Sequence, residues 1–371
     1  MIDCERPPDQ FRLLHRTWRH LFSKIDPTCS RLTRRTHTLY WLNSATQSLL
    51  HEIQKKSFQE QLADVVPPAP IFVLGFWRSG TTFLHELLCC DSRFGFPSTY
   101  ACLNPAHFLL SRRWVVSQSD RQVRRPMDDL RYSWGSPQED EFALFLLGAP
   151  SAYEALVVPS LMQKPHWLLD LEQRPPEDRE VWWKTFDYFL KLLTLEQNKA
   201  MVLKSPTHGY RMRTLQRKFG RARYVVIERN PYEVFASNLR LWRTLTDKYA
   251  LEQCSDLRLE QFILSAYKVH QEKFCEGMER CEPGCVAELR YEDLVEDPLE
   301  QISRIYATLN LGDFAAVRPR LEQHLTRVSS HQRSRLRLSR SQKEKVDSVW
   351  GEMVQRRRYR WPENSIELYD G

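Results

Sequence analysis

The sequence lacks the segments that would insert it into a membrane or mark it for secretion. No stretch approaches the roughly 18 apolar residues that a transmembrane helix needs, and the longest apolar run, 142–149, is interrupted by Gly148. The N-terminus carries Asp3, Glu5 and Asp9 where a signal peptide would have a basic and then an apolar segment. We therefore expect a cytoplasmic protein without a transmembrane segment, and peripheral contact with a membrane stays open.

Paired cysteine motifs and a strong charge imbalance are also missing. The 9 cysteines include no CxxC pair and no Cys/His spacing typical of zinc sites, which predicts reduced thiols. With 54 Lys and Arg against 47 Asp and Glu, the net charge is only +7. This mild excess suits an anionic ligand and does not demand a specific nucleic-acid partner.

Short apolar runs separated by helical patterns predict an α/β fold with a parallel sheet flanked by helices. Four runs have the character of buried parallel strands, and they are 71–74, 200–203, 223–227 and 286–289. Ligands of such sheets bind at the carboxyl ends of the strands. Functional residues are therefore expected directly after each run.

The pattern also predicts three parts of the chain. Residues 1–62 are expected to be a helical N-terminal extension, 63–330 the α/β domain, and 331–371 a basic C-terminal segment that packs on this domain. The extension contains an amphipathic stretch with apolar residues at helical spacing, namely Leu39, Leu42, Leu49, Leu50 and Ile53.

The first strand leads into a loop that resembles a phosphate loop without its lysine. Gly75 to Thr82 reads G-F-W-R-S-G-T-T, whereas a Walker A loop has lysine where Thr81 stands. Glycines let the backbone approach an anion, and Arg78 offers a two-pronged cation. The lysine that holds the β- and γ-phosphates of a nucleotide is missing, so the loop predicts a site for one phosphate-like group. A strand-to-helix turn that binds nothing is the alternative.

The loop resembles the 5′-phosphosulfate loop of sulfotransferases that use 3′-phosphoadenosine-5′-phosphosulfate. The resemblance extends over about residues 70 to 311 and implies sulfuryl transfer from this co-substrate to the hydroxyl of an acceptor, by in-line displacement and without a metal. It implies that the 5′-phosphosulfate is held by Arg78, Ser79, Gly80, Thr81 and Thr82.

A second motif of the same family follows the third predicted strand. Arg229 closes this strand and Ser237 lies eight residues later, with Pro231 at an expected helix start. The resemblance implies that Arg229 and Ser237 bind the 3′-phosphate, while a surface salt bridge is the alternative for Arg229 alone. The Arg-Lys-Gly loop that closes this site in the family is absent, and Arg333 is the expected replacement.

Three residues are candidates for the reacting centre. Lys204 follows the second predicted strand and matches the lysine that assists the leaving group in the family. His208 is the first candidate for the base that removes the acceptor proton, although the family's cytosolic branch has its histidine two residues closer to the lysine. Glu139, in a Pro-Gln-Glu-Asp-Glu segment, is the second candidate. An ordinary helix start at Pro137 is the alternative for that segment.

Adenine needs an aromatic partner, for which the resemblance offers Phe83 and Tyr291. Either ring can equally belong to the core. Two other functions stay open at this level: a P-loop nucleotide kinase or other phosphotransferase, and a non-catalytic protein that binds polyanions through its basic C-terminal segment. The class of acceptor and the oligomeric state are not readable from the sequence.

Overall fold

The fold is that of a computed structural model, which describes residues 12–25, 34–115, 123–124, 131–328 and 335–370. These residues form two compact units. The first unit comprises the described residues of 1–68, 95–201 and 242–259, and the second comprises those of 69–94, 202–241 and 260–371. The predicted boundaries near residues 62 and 330 stay predictions.

Helices dominate both units, and no helix among the described residues is long and apolar enough to cross a membrane. The α-helices in chain order are α1 (His15–Phe22), α2 (Arg34–Ser57), α3 (Gln59–Asp64), α4 (Thr81–Leu88), α5 (Thr99–Leu103), α6 (Phe108–Val115), α7 (Asp140–Leu146), α8 (Glu154–Val157), α9 (Pro165–Leu169), α10 (Pro176–Gln197), α11 (Met212–Lys218), α12 (Pro231–Tyr249), α13 (Asp256–Met278), α14 (Tyr291–Glu296), α15 (Pro298–Leu309), α16 (Arg318–Val328) and α17 (Arg340–Arg356). Short 3-10 helices cover Pro159–Gln163, Leu171–Gln173 and Pro206–Arg211.

The central sheet has five strands in the order β2-β5-β1-β6-β7, and β1 is parallel to both β5 and β6. The strands in chain order are β1 (Ile71–Leu74), β2 (Phe94–Gly95), β3 (Val123–Arg124), β4 (Arg131–Tyr132), β5 (Ala200–Lys204), β6 (Arg223–Glu228), β7 (Val286–Arg290), β8 (Leu336–Ser339) and β9 (Ile366–Tyr369). Two small sheets pair β3 with β4 and β8 with β9. The predicted α/β fold with a parallel sheet flanked by helices is confirmed.

The four apolar runs of the sequence are the strands β1, β5, β6 and β7. The structure begins each strand at the predicted residue and extends three of them by one residue. The prediction succeeds because these strands lie in a covered sheet, where a strand needs apolar side chains in continuous runs.

Strand β1 is buried on both faces. Ile71 and Val73 belong to a core cluster that includes Leu84 and Leu87 of α4. Phe72 faces the other side, where its ring stacks on Tyr224 with the centroids 5.7 Å apart. The two faces of β1 therefore have different partners, and this difference separates the candidate catalytic residues described below.

Helix α2, in the first unit, buries polar side chains and exposes apolar ones, the reverse of the usual arrangement. Its buried residues are Tyr40, Ser44, Gln47 and Gln54, and its exposed large apolar residues are Leu39, Trp41, Leu42, Leu49 and Ile53. The predicted amphipathic helix is thus present, but most of its apolar residues face outward because the inward positions make polar contacts.

Candidate active site

The loop between β1 and α4 packs its backbone closely against its neighbours. A Cβ atom on Gly75 would lie 2.6 Å from Ser79 Oγ. Gly80 has a φ of +99°, and a Cβ atom there would lie 2.2 Å from Cδ2 of the Tyr291 ring. Both positions therefore require glycine. Helix α4 begins directly after the loop, so the N–H groups of its first turn form an end that favours anions.

Arg78 connects this loop to helix α12. Its Nε donates to Ser237 Oγ at 2.9 Å, and the preceding carbonyl, of Trp77, accepts a hydrogen bond from Asn238 Nδ2 at 2.8 Å. Arg78 has a left-handed φ of 69°, which is uncommon for a residue with a side chain. Helix α12 thus holds two consecutive residues of the loop while Arg78 keeps a strained backbone.

Arg229, at the carboxyl end of β6, lies against the same loop residue. Its Nη1 donates to the carbonyl of Arg78 at 3.2 Å, and its Nε donates to Glu233 Oε2 at 2.7 Å. The guanidinium carbon is 4.4 Å from the centroid of the Tyr291 ring, a cation–π contact. The structure therefore brings together Arg78, Gly80, Arg229, Ser237 and Tyr291, which were predicted from three separate parts of the chain.

Glu233 is a residue of this site that the sequence analysis missed. Besides Arg229, its carboxylate accepts a hydrogen bond from Ser365 Oγ, and Asn230 Nδ2 donates to the carbonyl of Arg360 at 2.8 Å. The C-terminal part of the chain therefore contacts residues next to Arg229. An acid four residues after an arginine at a helix start was the signal that could have revealed Glu233.

Lys204 and Thr82 lie on the α4 side of β1. Lys204, at the end of β5, is only 1% exposed, and its Nζ is 3.4 Å from Thr82 Oγ1. It pairs in register with Val73, which belongs to the core cluster on that face. Ser79 is also buried, and its hydroxyl donates to the carbonyl of Phe76 at 2.8 Å.

His208 packs on the opposite face of β1 from Lys204. It lies in the 3-10 helix Pro206–Arg211 with no exposed surface, and its ring meets Phe72 edge-on with the centroids 5.2 Å apart. Phe72 and Val73 are consecutive strand residues, so they point to opposite sides of the sheet. The structure therefore does not place the first candidate for the base on the face that carries Lys204 and Thr82.

Glu139, in the first unit, is the most accessible acid of its segment. Glu141 has no exposed surface, and its carboxylate accepts from Ser151 Oγ at 2.7 Å. Glu139 is partly exposed, and its carboxylate accepts a hydrogen bond from the Tyr153 hydroxyl. Of these two glutamates, Glu139 is thus the one that a bound molecule could reach.

The segment around Pro137, for which an ordinary helix start was the alternative, leads into a helix that begins three residues later. Helix α7 begins at Asp140, and Pro137 instead forms an isolated antiparallel bridge with Ser98. The N–H group of Gln138 donates to the carbonyl of Pro97 at 2.9 Å. The extended segment before Asp140 is therefore held by residues that are distant in sequence, which a local helix-start signal cannot anticipate.

The two aromatic candidates differ in what they contact. Phe83 is partly buried and packs against the core cluster of β1 and α4. Tyr291 packs against the same cluster. Its ring also makes the cation–π contact with Arg229 and packs against Gly80. Tyr291 therefore belongs to the loop site, whereas the contacts of Phe83 are those of a core residue.

Two further expectations stay predictions. Arg333, the expected replacement for the family's C-terminal loop, lies outside the described residues. Within the described residues, no group of three His, Cys, Asp or Glu side chains could hold a metal ion. Chemistry without a metal therefore stays an expectation of the resemblance.

A buried histidine lies behind the loop. His270 lines a cavity of about 20 Å³ together with Phe76, Ser79 and Arg229. Neither of its ring nitrogens has a hydrogen-bond partner among the described residues, and burial lowers the pKa of His270 to about 3. The imidazole is therefore neutral at physiological pH, and folding disfavours its protonation.

The fold and the loop together define a class. A parallel sheet whose first strand leads through a glycine-flanked turn into a helix, with two arginines at adjacent strand ends, belongs to the α/β proteins that bind phosphate-like anions. This class includes kinases as well as other group-transfer enzymes, so the geometry alone does not name the transferred group.

Known proteins resolve this choice. The sulfotransferase family model matches residues 70–315. The chain is 37% identical over 324 residues to proteins named omega-hydroxy-beta-dihydromenaquinone-9 sulfotransferase Stf3, from Mycobacterium bovis and Mycobacterium tuberculosis, covering 86% of this chain and 83% of theirs. Its fold is similar to the crystal structures of sulfotransferase STF9 from Mycobacterium avium (TM-score 0.68, 18% identity, 96% of this chain and 93% of that one) and STF1 from Mycobacterium tuberculosis (0.63, 19%, 92% of each).

The chain belongs to the sulfotransferase family. The sulfotransferase activity predicted from the sequence is thereby confirmed, and the kinase and polyanion-binding alternatives no longer describe its class. The family match begins one residue before β1 and includes the loop, Lys204, Arg229, Ser237 and Tyr291.

The tight packing at Gly80 predicts a large cost for added volume. In Gly80→Ala the new methyl group would overlap the Tyr291 ring at an unfavourable φ, so we expect a loss of about 2–4 kcal/mol in the free energy of unfolding. Gly220→Ala is the control, because a Cβ atom there meets nothing within 4 Å. Urea denaturation of both variants measures the difference, and equal stabilities would contradict the packing described here.

The buried His270 predicts a pH-dependent stability. Its pKa is about 3 in the folded chain and about 6.5 in the unfolded chain, so the unfolded state binds the extra proton and stability falls as the pH drops below 6.5. Between pH 7 and 5 this site lowers the free energy of unfolding by about 2 kcal/mol. His270→Gln should remove that part of the slope in urea denaturation, whereas His166→Gln, at an exposed position, should keep it. An unchanged slope in His270→Gln would show that folding does not lower the pKa of this side chain.

Proposed function

We propose that this sulfotransferase moves a sulfuryl group from 3′-phosphoadenosine-5′-phosphosulfate to an acceptor hydroxyl. One observation carries the proposal: Arg78 is hydrogen-bonded to Ser237 at 2.9 Å, and its carbonyl accepts from Arg229 at 3.2 Å. Residues expected at the two ends of one nucleotide are thus direct neighbours. Adenosine with an anion at both its 3′ and 5′ positions suits this arrangement, because each arginine can pair with one anion.

The contacts support a division of roles within the site. The loop residues Arg78, Ser79, Gly80, Thr81 and Thr82 hold the 5′-phosphosulfate, since glycine spacing and the start of α4 present N–H groups to an anion. Arg229 and Ser237 hold the 3′-phosphate. Tyr291 supports the adenine side of the site, and Phe83 is the second aromatic candidate there.

Lys204 assists the leaving group. Its ammonium group lies next to Thr82 at the start of α4, where a cation stabilises the negative charge that grows on the departing phosphate oxygen. The acceptor oxygen forms a bond to sulfur as the sulfur–oxygen bond to the phosphate breaks, and the acceptor loses its proton to a base. No metal is needed for this displacement.

Glu139 is the base that we favour over His208. Its carboxylate is partly exposed and accepts from Tyr153, whereas His208 packs against Phe72 on the face of β1 opposite Lys204. This order reverses the one that the sequence favours, because the sequence shows the spacing of His208 from Lys204 but not the side of the strand on which each lies.

The acceptor is a lipid alcohol related to a hydroxylated quinone. The support is the 37% identity, over 86% of this chain, to enzymes whose name describes an omega-hydroxylated dihydromenaquinone. We propose a cytoplasmic, reducing compartment for the reaction, in keeping with the free thiols of the cysteines that the structure describes.

The nucleotide assignment predicts selective loss of 3′-phosphate recognition. Arg229→Ala should weaken binding of adenosine 3′,5′-bisphosphate by about 100-fold, because charged hydrogen bonds to phosphate contribute about 1.5–3 kcal/mol. Ser237→Ala should weaken it by about tenfold. Both changes should weaken binding of adenosine 5′-monophosphate less than binding of the bisphosphate, because they loosen the support of Arg78 but remove no contact to a 5′-phosphate. Isothermal titration calorimetry with both nucleotides measures the difference.

Arg243→Ala is the matched control. This arginine lies in α12, the helix that follows Arg229, but it pairs with Asp256 at 2.8 Å in an exposed contact. It should bind both nucleotides like the wild type. Equal losses of affinity for the two nucleotides in Arg229→Ala would show that Arg229 does not bind the 3′-phosphate. Tighter binding of ATP with Mg²⁺ than of the bisphosphate would contradict the proposed co-substrate.

The choice of base predicts different losses of activity for two variants. Glu139→Gln should lower kcat by about 100-fold or more in steady-state kinetics, because general-base catalysis contributes about 10²- to 10⁴-fold. His208→Asn should lose activity mainly in step with its stability. The reverse pattern would make His208 the base.

A further inference from the structure

The outward surface of helix α2 has an unusual composition. Four large apolar residues are exposed at intervals of three, seven and four positions, which places them on one side of the helix. We call them the α2 stripe, and they are Leu39 (38% exposed), Leu42 (51%), Leu49 (63%) and Ile53 (43%). The stripe therefore aligns four exposed large apolar side chains along one side of the helix, instead of scattering them around it.

The opposite side of α2 explains why the helix cannot turn this stripe inward. Gln54 has no exposed surface, and its amide donates to the carbonyl of Pro105 at 2.9 Å and accepts from the N–H group of Leu109 at 3.0 Å. Ser44 Oγ is 3.1 Å from Nδ1 of His15. Rotating the helix would break these buried and partly buried hydrogen bonds, so the exposure of the stripe is built into the fold.

Positive charge is concentrated in the same part of the chain. Residues 12–25 and 34–57, which contain α1 and α2, have eight Lys and Arg and a single acid, Glu52. The formal net charge of the whole chain is +7, so the formal charges of the rest of the chain cancel. An exposed apolar stripe on a strongly basic segment is the combination found in helices that lie on anionic lipid surfaces.

We infer that the α2 stripe docks the enzyme on an anionic membrane surface, with Leu42 and Leu49 inserted at the level of the lipid headgroups. The inference rests on the proposed lipid acceptor, since such a substrate resides in a membrane. A second copy of the chain fits the stripe less well, because pairing two stripes would bring two strongly basic segments together.

Sedimentation with lipid vesicles tests this inference. The wild type should bind vesicles of phosphatidylcholine with about 30% phosphatidylglycerol and release them at about 0.5 M salt, where surface charge is screened within a few ångströms. Leu42→Gln/Leu49→Gln should bind these vesicles at least about tenfold more weakly. Leu257→Gln is the matched control, because Leu257 is 57% exposed on another helix, and it should bind like the wild type.

Activity assays separate this inference from the proposed function. Leu42→Gln/Leu49→Gln should keep wild-type kcat with a short-chain acceptor alcohol dissolved in water and lose at least about tenfold in rate with an acceptor held in the anionic vesicles. Equal vesicle binding by the double variant and the wild type would overturn the docking surface, even if sulfuryl transfer is intact. If the wild type is a dimer and the double variant is a monomer, the α2 stripe binds a second copy of the chain and not a membrane. An absence of sulfuryl transfer to the dissolved alcohol by the wild type, with vesicle binding as expected, would contradict the proposed function alone.

Discussion

The candidate active site depends on the backbone of Arg78. This residue adopts a left-handed φ of 69°, which costs about 1–3 kcal/mol for a residue with a side chain. Ser237 binds its side chain, Arg229 binds its carbonyl, and α12 holds the residue before it. These bonds offset the strain and set the loop between β1 and α4 in one conformation before any ligand arrives. A preorganised loop spends less binding energy on ordering itself around an anion.

The sheet topology explains why residues from separate motifs meet at Arg78. Strands β1 and β6 are parallel neighbours, so the residues that follow them emerge at the same edge of the sheet. Tyr291 begins α14 directly after β7, the next strand along. Chain segments beyond the family match also contribute, because Ser365 and Arg360 contact Glu233 and Asn230 beside Arg229. The same edge therefore gathers the nucleotide residues and the groups that hold them in place.

Sequence patterns predicted the strands and the loop well because both depend on local composition. A strand buried on two faces needs a continuous apolar run, and the turn into α4 needs a glycine at position 80 because its φ is +99°. The patterns failed where distant contacts decide. Gln54 is buried because its amide matches backbone groups of Pro105 and Leu109, so helical spacing could not show that the apolar side of α2 faces outward. The position of His208 beside Phe72 likewise depends on the path of the chain after β5.

The most direct test of the central claim is a crystal structure of the protein soaked with adenosine 3′,5′-bisphosphate. The account predicts one nucleotide with its 5′-phosphate on the N–H groups and Arg78 of the loop, and with its 3′-phosphate on Arg229 and Ser237. Density for the nucleotide at another place, or a bound nucleotide that touches only one of the two arginines, would contradict the account.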